Sequence, residues 1–332
     1  MAKKPNYRIS MGLWAFLFLK TQQMDIVSII KFLGKKHGLG FDGVELFGKG
    51  PHPDPNNCGS TTSIALFLAL LEEHGMTISG VAGDFWNQDL SFFSDTDRLE
   101  SAVIKNAKWC GKGGLNTPRM RMDFIDPPSR IYGPQGIGVE GAIEVYVKRF
   151  KRFGEIAGNE GLTIVIEFEP MFGINKPRDV VRFHKALSDA GVKNVGSLYD
   201  TCHGHTVGCM GAEQIGEIDT FAKDHTNTKG EEQIGFMREI GPFVKHVHWI
   251  DTKGELHRES PNGPGTSTHD EFGAGILKFD KLFPAAEEFF TGLPEGYDWR
   301  AMDLCFNPNA REQSETCVKA MRKFNRKFPL AT

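Results

Sequence analysis

Eight short strand-like runs alternate with eight stretches of helical period along this chain of 332 residues, an order that admits few architectures. The strand-like runs cover residues 7–16, 41–47, 76–83, 117–124, 162–170, 193–200, 244–251 and 298–306. Between them lie segments with helix signals. "MDIVSIIKFLGKKHG" ends in cations and a glycine, "STTSIALFLALLEEHG" opens on a Ser/Thr cap and stops at Gly75, and "GAIEVYVKRFKRFGEIAGNEG" is long, amphipathic and closed by Gly161. Strict alternation predicts an α/β protein, a single (β/α)8 TIM barrel over residues 1–332. A doubly wound open sheet is the competing architecture, and no G-x-G-x-x-G follows the first strand to support it. The stretches 201–230 and 252–275 read as enlarged loops after strands six and seven, on the face where such barrels do chemistry.

Charge narrows the partners. The formal net charge is -3 and Lys and Arg are scattered, so neither nucleic acid nor an anionic membrane is an expected partner. The six cysteines form no CxxC pair, "MAKKPNYRIS" lacks an apolar signal core, and the apolar runs are too short to span a bilayer; a cytoplasmic protein is expected. The 26 phenylalanines include several in loop-like sequence, and Phe85, Trp86, Phe92 and Phe93 are candidates to stack on a flat aromatic ligand.

The segment "TIVIEFEPMF", residues 163–172, sets the functional problem. Glu167 and Glu169 share one strand face at the end of an apolar run, where an unpartnered carboxylate costs several kcal/mol or more to desolvate. Strand six closes on Asp200, strand seven on His246, His248 and Asp251, and strand eight on Asp303. Four successive strand ends with metal-competent groups suggest convergence on a cation. Glu169, Asp200, His248 and Asp303 are the expected ligands; such an oxygen-rich set with one imidazole suits Mn²⁺, with Mg²⁺ or Co²⁺ as alternatives. Plainer roles compete: Asp200 could be a helix cap, while for His246 a place packed behind the site and for Glu167 an ion pair with Arg121 or Arg8 are expected in preference to metal ligation.

These residues resemble the sugar phosphate isomerase/epimerase superfamily, the xylose isomerase-like barrels. "GEIAGNEGLTIVIEFEP" is similar to its helix, turn and strand ending in Glu-Pro. "GSLYDTCHGH" resembles its D-x-x-H strand end, which implies Asp200 as ligand and His203 facing substrate. "VKHVHWIDTKGELH" resembles its H-x-H-x-x-D segment, where the second histidine, here His248, binds metal. "FGAGILKFDKLFPAAEE" and "FDGVEL", which carries Glu45 near the end of strand two, also fit. The resemblance implies removal of a proton α to a sugar carbonyl polarised by the metal. Epimerases of this family end strand eight with a glutamate that exchanges a proton; "RAMDLCFNP" offers the shorter Asp303.

A narrower resemblance joins "DLCF…P" and "STHDEFGAG" to the α subunits of bacterial C-glycoside deglycosidases. It implies a 3-oxo-glycoside substrate: the metal polarises the C3 ketone, one base removes the C2 proton, and the enediolate expels the aglycone carbon at C1. It also implies a small β subunit, with a homo-oligomer as a further expectation. A ketose 3-epimerase or sugar isomerase is the alternative, and a non-catalytic sugar-binding barrel the remote one.

The candidate bases are His203, Glu169, His205 and His257. His246, Asp251, His257, Arg121 and Glu45 are expected around the substrate, with His269, Arg119 and Lys253 as further loop or strand-end candidates. The superfamily also holds endonucleases using three metals on abasic DNA, which need a basic cleft; the net charge of -3 argues against that function.

Overall fold

Strands buried on both faces should read as nearly continuous apolar runs; these strands are mostly buried, but several carry buried polar side chains, among them Ser10, Ser79, Arg119 and His246. The computed structural model describes residues 6–86, 90–94, 96–210, 231–257 and 265–330. Its strands are β1 (Arg8–Gly12), β2 (Gly43–Gly48), β3 (Thr77–Gly83), β4 (Arg119–Arg121), β5 (Thr163–Glu167), β6 (Val195–Asp200), β7 (Val244–His248) and β8 (Trp299–Met302). Each pairs in parallel with its sequence neighbours, and β1 pairs with β8, so the sheet closes into a TIM barrel.

The helices are α1 (Ile26–Leu33), α2 (Thr61–Glu73), α3 (Thr96–Cys110), the short α4 (Ser129–Tyr132), α5 (Val139–Asn159), α6 (Pro177–Asp189), α7 (Thr201–Met210), α8 (Glu231–Ile240), α9 (Phe279–Phe289) and α10 (Ala310–Lys327). Ser60 Oγ accepts the Ser63 backbone N–H at 3.1 Å in a capping box that starts α2. Helix α5 buries Ala142, Tyr146, Phe150, Phe153 and Ala157, a three-and-four spacing that forms one stripe against the barrel. The Tyr146 ring meets those of Phe92 and Phe124 at 4.8 and 4.6 Å.

Three expectations change. Helix α1 stops at Leu33, not at the Lys-Lys-His-Gly run: the amides of Gly40 and Phe41 bond back to the Leu33 carbonyl, turning the chain towards β2. The stretch after β6 starts as helix α7 rather than loop, while residues 211–230 of it lie outside the described residues, as do 258–264 of the stretch after β7. Phe85 and Phe92 are core side chains, 1% and 0% exposed, so they cannot stack on a ligand. Among the described residues no helix is long and apolar enough to cross a membrane.

The middle of the barrel is polar. Ser79 Oγ donates to Ser10 Oγ at 2.9 Å, and Arg119 Nη1 donates to the Ser79 carbonyl at 2.6 Å. The Arg119 guanidinium sits over the Tyr297 ring, 5.2 Å from its centroid. Above this layer stand Glu45 and His246, which makes it the foundation of the site at the C-terminal strand ends.

Candidate metal centre

Four strand ends meet at one point. Ligand atoms from Glu167 on β5, Asp200 on β6, His248 on β7 and Asp303 just after β8 all lie within 4.8 Å of one another, and all four residues are buried. His248 Nδ1 is 3.2 Å from Glu167 Oε1 and 3.7 Å from both Asp200 Oδ2 and Asp303 Oδ2. Glu167 Oε1, Asp200 Oδ2 and His248 Nδ1 are buried with no hydrogen-bond partner. Orphaned buried oxygens around one imidazole nitrogen are costly unless a cation joins them, so the donor set fits a divalent ion.

The free atoms are free because their neighbours are tied. His248 Nε2 lies 3.1 Å from Glu45 Oε2, an oxygen that also lies 3.0 Å from His246 Nε2. With Nε2 donating to Glu45, the His248 lone pair is left on Nδ1, facing the carboxylates; this tautomer is inferred from the bonding. His246 Nδ1 in turn lies 2.9 Å from the Tyr297 hydroxyl. Asp200 Oδ1 accepts the Cys202 and His203 amides at 2.6 and 3.2 Å, because α7 begins directly after it. Asp303 Oδ1 accepts Trp14 Nε1–H at 2.7 Å and the Cys305 amide at 2.6 Å. Each aspartate thus turns its other oxygen inward.

Electrostatics follow from burial. Burial pushes Glu167 up to about 7, against the pull of Arg121 and His248. Burial also raises Asp200, and burial together with the Glu167 charge holds Glu169 well above the usual carboxylate range. Burial opposes ionisation of Glu45 too, but the His248 and His246 rings outweigh it and hold that carboxyl well below normal. A carboxylate kept ionised behind the imidazole is the partner a ligating histidine needs.

The quartet differs by one residue from the sequence expectation: Glu167 stands where Glu169 was expected. Glu167 is the last residue of β5, and Glu169 lies one pleat further out on the same face. Glu169 forms its own group with Glu167 and His203. Its Oε1 is 2.9 Å from Arg121 Nη2 and 3.6 Å from His203 Nε2, and its Oε2 accepts the Thr266 hydroxyl at 2.5 Å. Arg121 also pairs with Glu167 and, through Nε at 2.8 Å, with Asp123. Arg8 pairs instead with Asp298 at the far end of β1.

Glu169, Arg121 and Asp303 floor a cavity of about 310 Å³. Its walls are aromatic: Trp14, Phe18, Phe47, Trp86, Phe172 and Phe306. Trp86 stacks on Phe172 with centroids 4.8 Å apart, and Phe18 stacks on Phe306 at 4.9 Å. Of the four loop aromatics expected at a ligand, only Trp86 lines this cavity; Phe93 packs on Tyr146.

The remaining candidates scatter. His203 Nδ1 lies 2.9 Å from Ser267 Oγ, which fixes the ring with Nε2 towards Glu169, and burial lowers its proton affinity well below that of free imidazole. His205 points to the Gly254 turn. His257 stacks on His269, whose ring meets His203 edge-on at 5.0 Å. Asp251 accepts the amides of Thr252, Gly273, Gly275 and Leu277, so it knits the loop after β7 instead of facing the cavity. Glu45 and His246 sit behind His248, away from that cavity's lining. Sequence reasoning missed Trp14, Phe18, Thr266, Ser267 and Phe306. Trp14 alone left a trace, in that a Cβ on Gly12 would fall 2.3 Å from its ring and only glycine fits beside it.

No curated protein matches the chain. Solved structures do. A D-tagatose 3-epimerase-like protein superposes with a TM-score of 0.62 at 17% identity, over 96% of this chain and 98% of that one. D-psicose 3-epimerase from Clostridium cellulolyticum H10, solved with D-tagatose, gives 0.64 at 17% identity, over 98% and 100%. An IOLI protein with a binding zinc atom gives 0.65 at 16% identity, over 97% and 99%. At such identities the likeness is one of fold. The family model described as xylose isomerase-like TIM barrel matches residues 35–315, and the chain belongs to that family.

Proposed function

We propose that this protein is a divalent-metal-dependent carbohydrate enzyme that removes a proton α to a sugar carbonyl, of the sugar isomerase and epimerase kind. The observation that carries the reading is the convergence of Glu167, Asp200, His248 and Asp303 on one point, with inward-facing buried atoms that have no other partner. Epimerases among proteins of the same fold, and relatives solved with zinc or magnesium, agree with it.

A divalent ion held by these four side chains supplies Lewis-acid polarisation of a carbonyl and its neighbouring hydroxyl. Mn²⁺ is the proposed ion, given three carboxylates and one imidazole. Glu169 is the proposed base. It lines the cavity, and its Oε1 stands 3.6 Å from His203 Nε2. Arg121 holds Glu169 in place, and Thr266 fixes its second oxygen. His203, neutral and clamped by Ser267, offers a hydrogen bond to a sugar hydroxyl beside Glu169.

A second reading rests on two further observations. Asp303 is short and has Oδ1 tied to Trp14, which argues against it as the second base that epimerisation needs on the opposite face of a carbon. The aromatic walls suit a flat apolar appendage on the sugar. Both favour one-sided deprotonation, as in cleavage of a 3-oxo-C-glycoside by a C-glycoside deglycosidase α subunit. The test is to load the protein with Mn²⁺ in D2O and follow a free ketose and a 3-oxo-C-glucoside by NMR. Deuterium incorporation next to the carbonyl, lost in Asp200→Asn, supports the general reading. Ketose interconversion selects the isomerase or epimerase, aglycone release selects the lyase, and no exchange in either compound overturns both.

A further inference from the structure

A second cavity lies beside the aromatic one, on the outer side of the β2 end. It has about 290 Å³, lies between the loop after β2 and helix α3, and shares Lys49 with the aromatic cavity. Its character is opposite: polar side chains of Lys49, Asp54, Asn56, Asp84, Lys105 and Asn106 face it. Two lysines against two aspartates leave no net charge, which disfavours phosphate or any other anion, and the lysines disfavour a cation.

The pocket is built rather than incidental. Asn106 is 4% exposed; its Nδ2 donates to the Ala102 carbonyl at 3.0 Å, and its Oδ1 is buried with no partner. That oxygen lies 3.7 Å from where a Cβ on Gly48 would stand, in the pocket wall. A buried amide oxygen left without a donor is unfavourable, so a ligand hydroxyl reaching it would be well received. Asp54 is fixed by the Asn56 and Asn57 amides at 2.5 and 3.1 Å, and Lys105 donates to Asn56 Oδ1 across the mouth. The bare backbone of Gly50 keeps space in front of Asp54, whose Oδ2 would be 3.2 Å from a Cβ there.

Asn57 Nδ2 also donates to Asp54 Oδ2 at 2.9 Å, so a ligand here meets carboxylate, amide and ammonium groups of zero net charge around the buried Asn106 oxygen, a lining that suits hydroxyls. We propose that this pocket is a carbohydrate subsite holding a non-reacting glycosyl or polyol unit of a larger substrate. Its sugar-binding role stands alone; its place as the outer end of a substrate reaching the metal through the aromatic cavity rests on the function proposed above.

The probe is cellobiose, read by saturation-transfer NMR and titration on the full-length protein. In Asp200→Asn, where the metal centre is disabled, cellobiose still binds. Lys105→Ala weakens that binding about fivefold, the worth of one hydrogen bond. Ala102→Leu, which fills the pocket from α3, abolishes it. Lys105 is exposed, so its variant reads the pocket even if Ala102→Leu does not fold. Loss of cellobiose binding in Asp200→Asn, unchanged binding in Lys105→Ala, or displacement by inorganic phosphate at equal concentration overturns the proposal. Failure of the catalytic reading shows separately, as absent deuterium exchange with cellobiose binding retained.

Discussion

His248 Nε2 and Glu45 Oε2 are 3.1 Å apart at the base of the site, and this contact decides which nitrogen of His248 faces the three carboxylates. Glu45→Gln keeps the shape but loses the charge that anchors the ring. Divalent-ion affinity is expected to fall about 10- to 100-fold, the usual consequence of removing such a supporting carboxylate. Calorimetric titration with Mn²⁺ measures it, and an unchanged affinity would count against the tautomer argument.

Trp14 controls Asp303 in the same way. Its Nε1–H holds Oδ1 at 2.7 Å, leaving Oδ2 to turn towards His248. Trp14→Phe retains an aromatic wall but removes the donor and part of the buried ring. The expected result is about a tenfold loss in metal affinity, with a loss of thermal stability of about 1–3 kcal/mol in the metal-free protein. The two readouts separate positioning from packing.

Arg121 is buried among Asp123, Glu167 and Glu169. Its replacement by Met leaves three buried carboxylates without their counter-charge, and breaking such a network costs about 3–5 kcal/mol. Thermal unfolding of the metal-free variant should show this loss. Added Mn²⁺ should recover more stability in Arg121→Met than in the parent, because the ion supplies charge that the arginine no longer does.

His184 on α6 offers a test away from the site. Burial alone depresses it to about 3, and its ring packs on Phe183 and Phe243. The unfolded chain takes up this proton near pH 6.5 and the folded chain does not. The contribution to stability is therefore complete above about 6.5 and declines as pH falls towards 3, reaching a loss of about 2 kcal/mol at pH 5. His184→Leu should flatten this part of the acid limb in urea unfolding curves.

The barrel was legible in the sequence because strand and helix periods differ and caps punctuate them; Ser60 and Gly161 act where the sequence places them. The strand ends that carry Asp200, His248 and Asp303 were legible for the same reason. Alternation puts Glu167 and Glu169 on one face, and the Glu-Pro resemblance points to Glu169 as the ligand; only the point where β5 leaves the sheet brings Glu167 into the quartet. The aromatic walls were misread because a phenylalanine in a loop shows no period: Phe92 turns inward onto α5, while Phe18 and Phe306, far apart in sequence, meet face to face. Likewise Thr266 and Ser267 reach Glu169 and His203 across separations that no local pattern records.

The most direct measurement is anomalous diffraction at the manganese edge from crystals grown with Mn²⁺. One peak enclosed by Glu167, Asp200, His248 and Asp303, with Glu169 left on Arg121 and Thr266, is the predicted result. Density elsewhere, or none at saturating Mn²⁺ with the four side chains in their present positions, would contradict it.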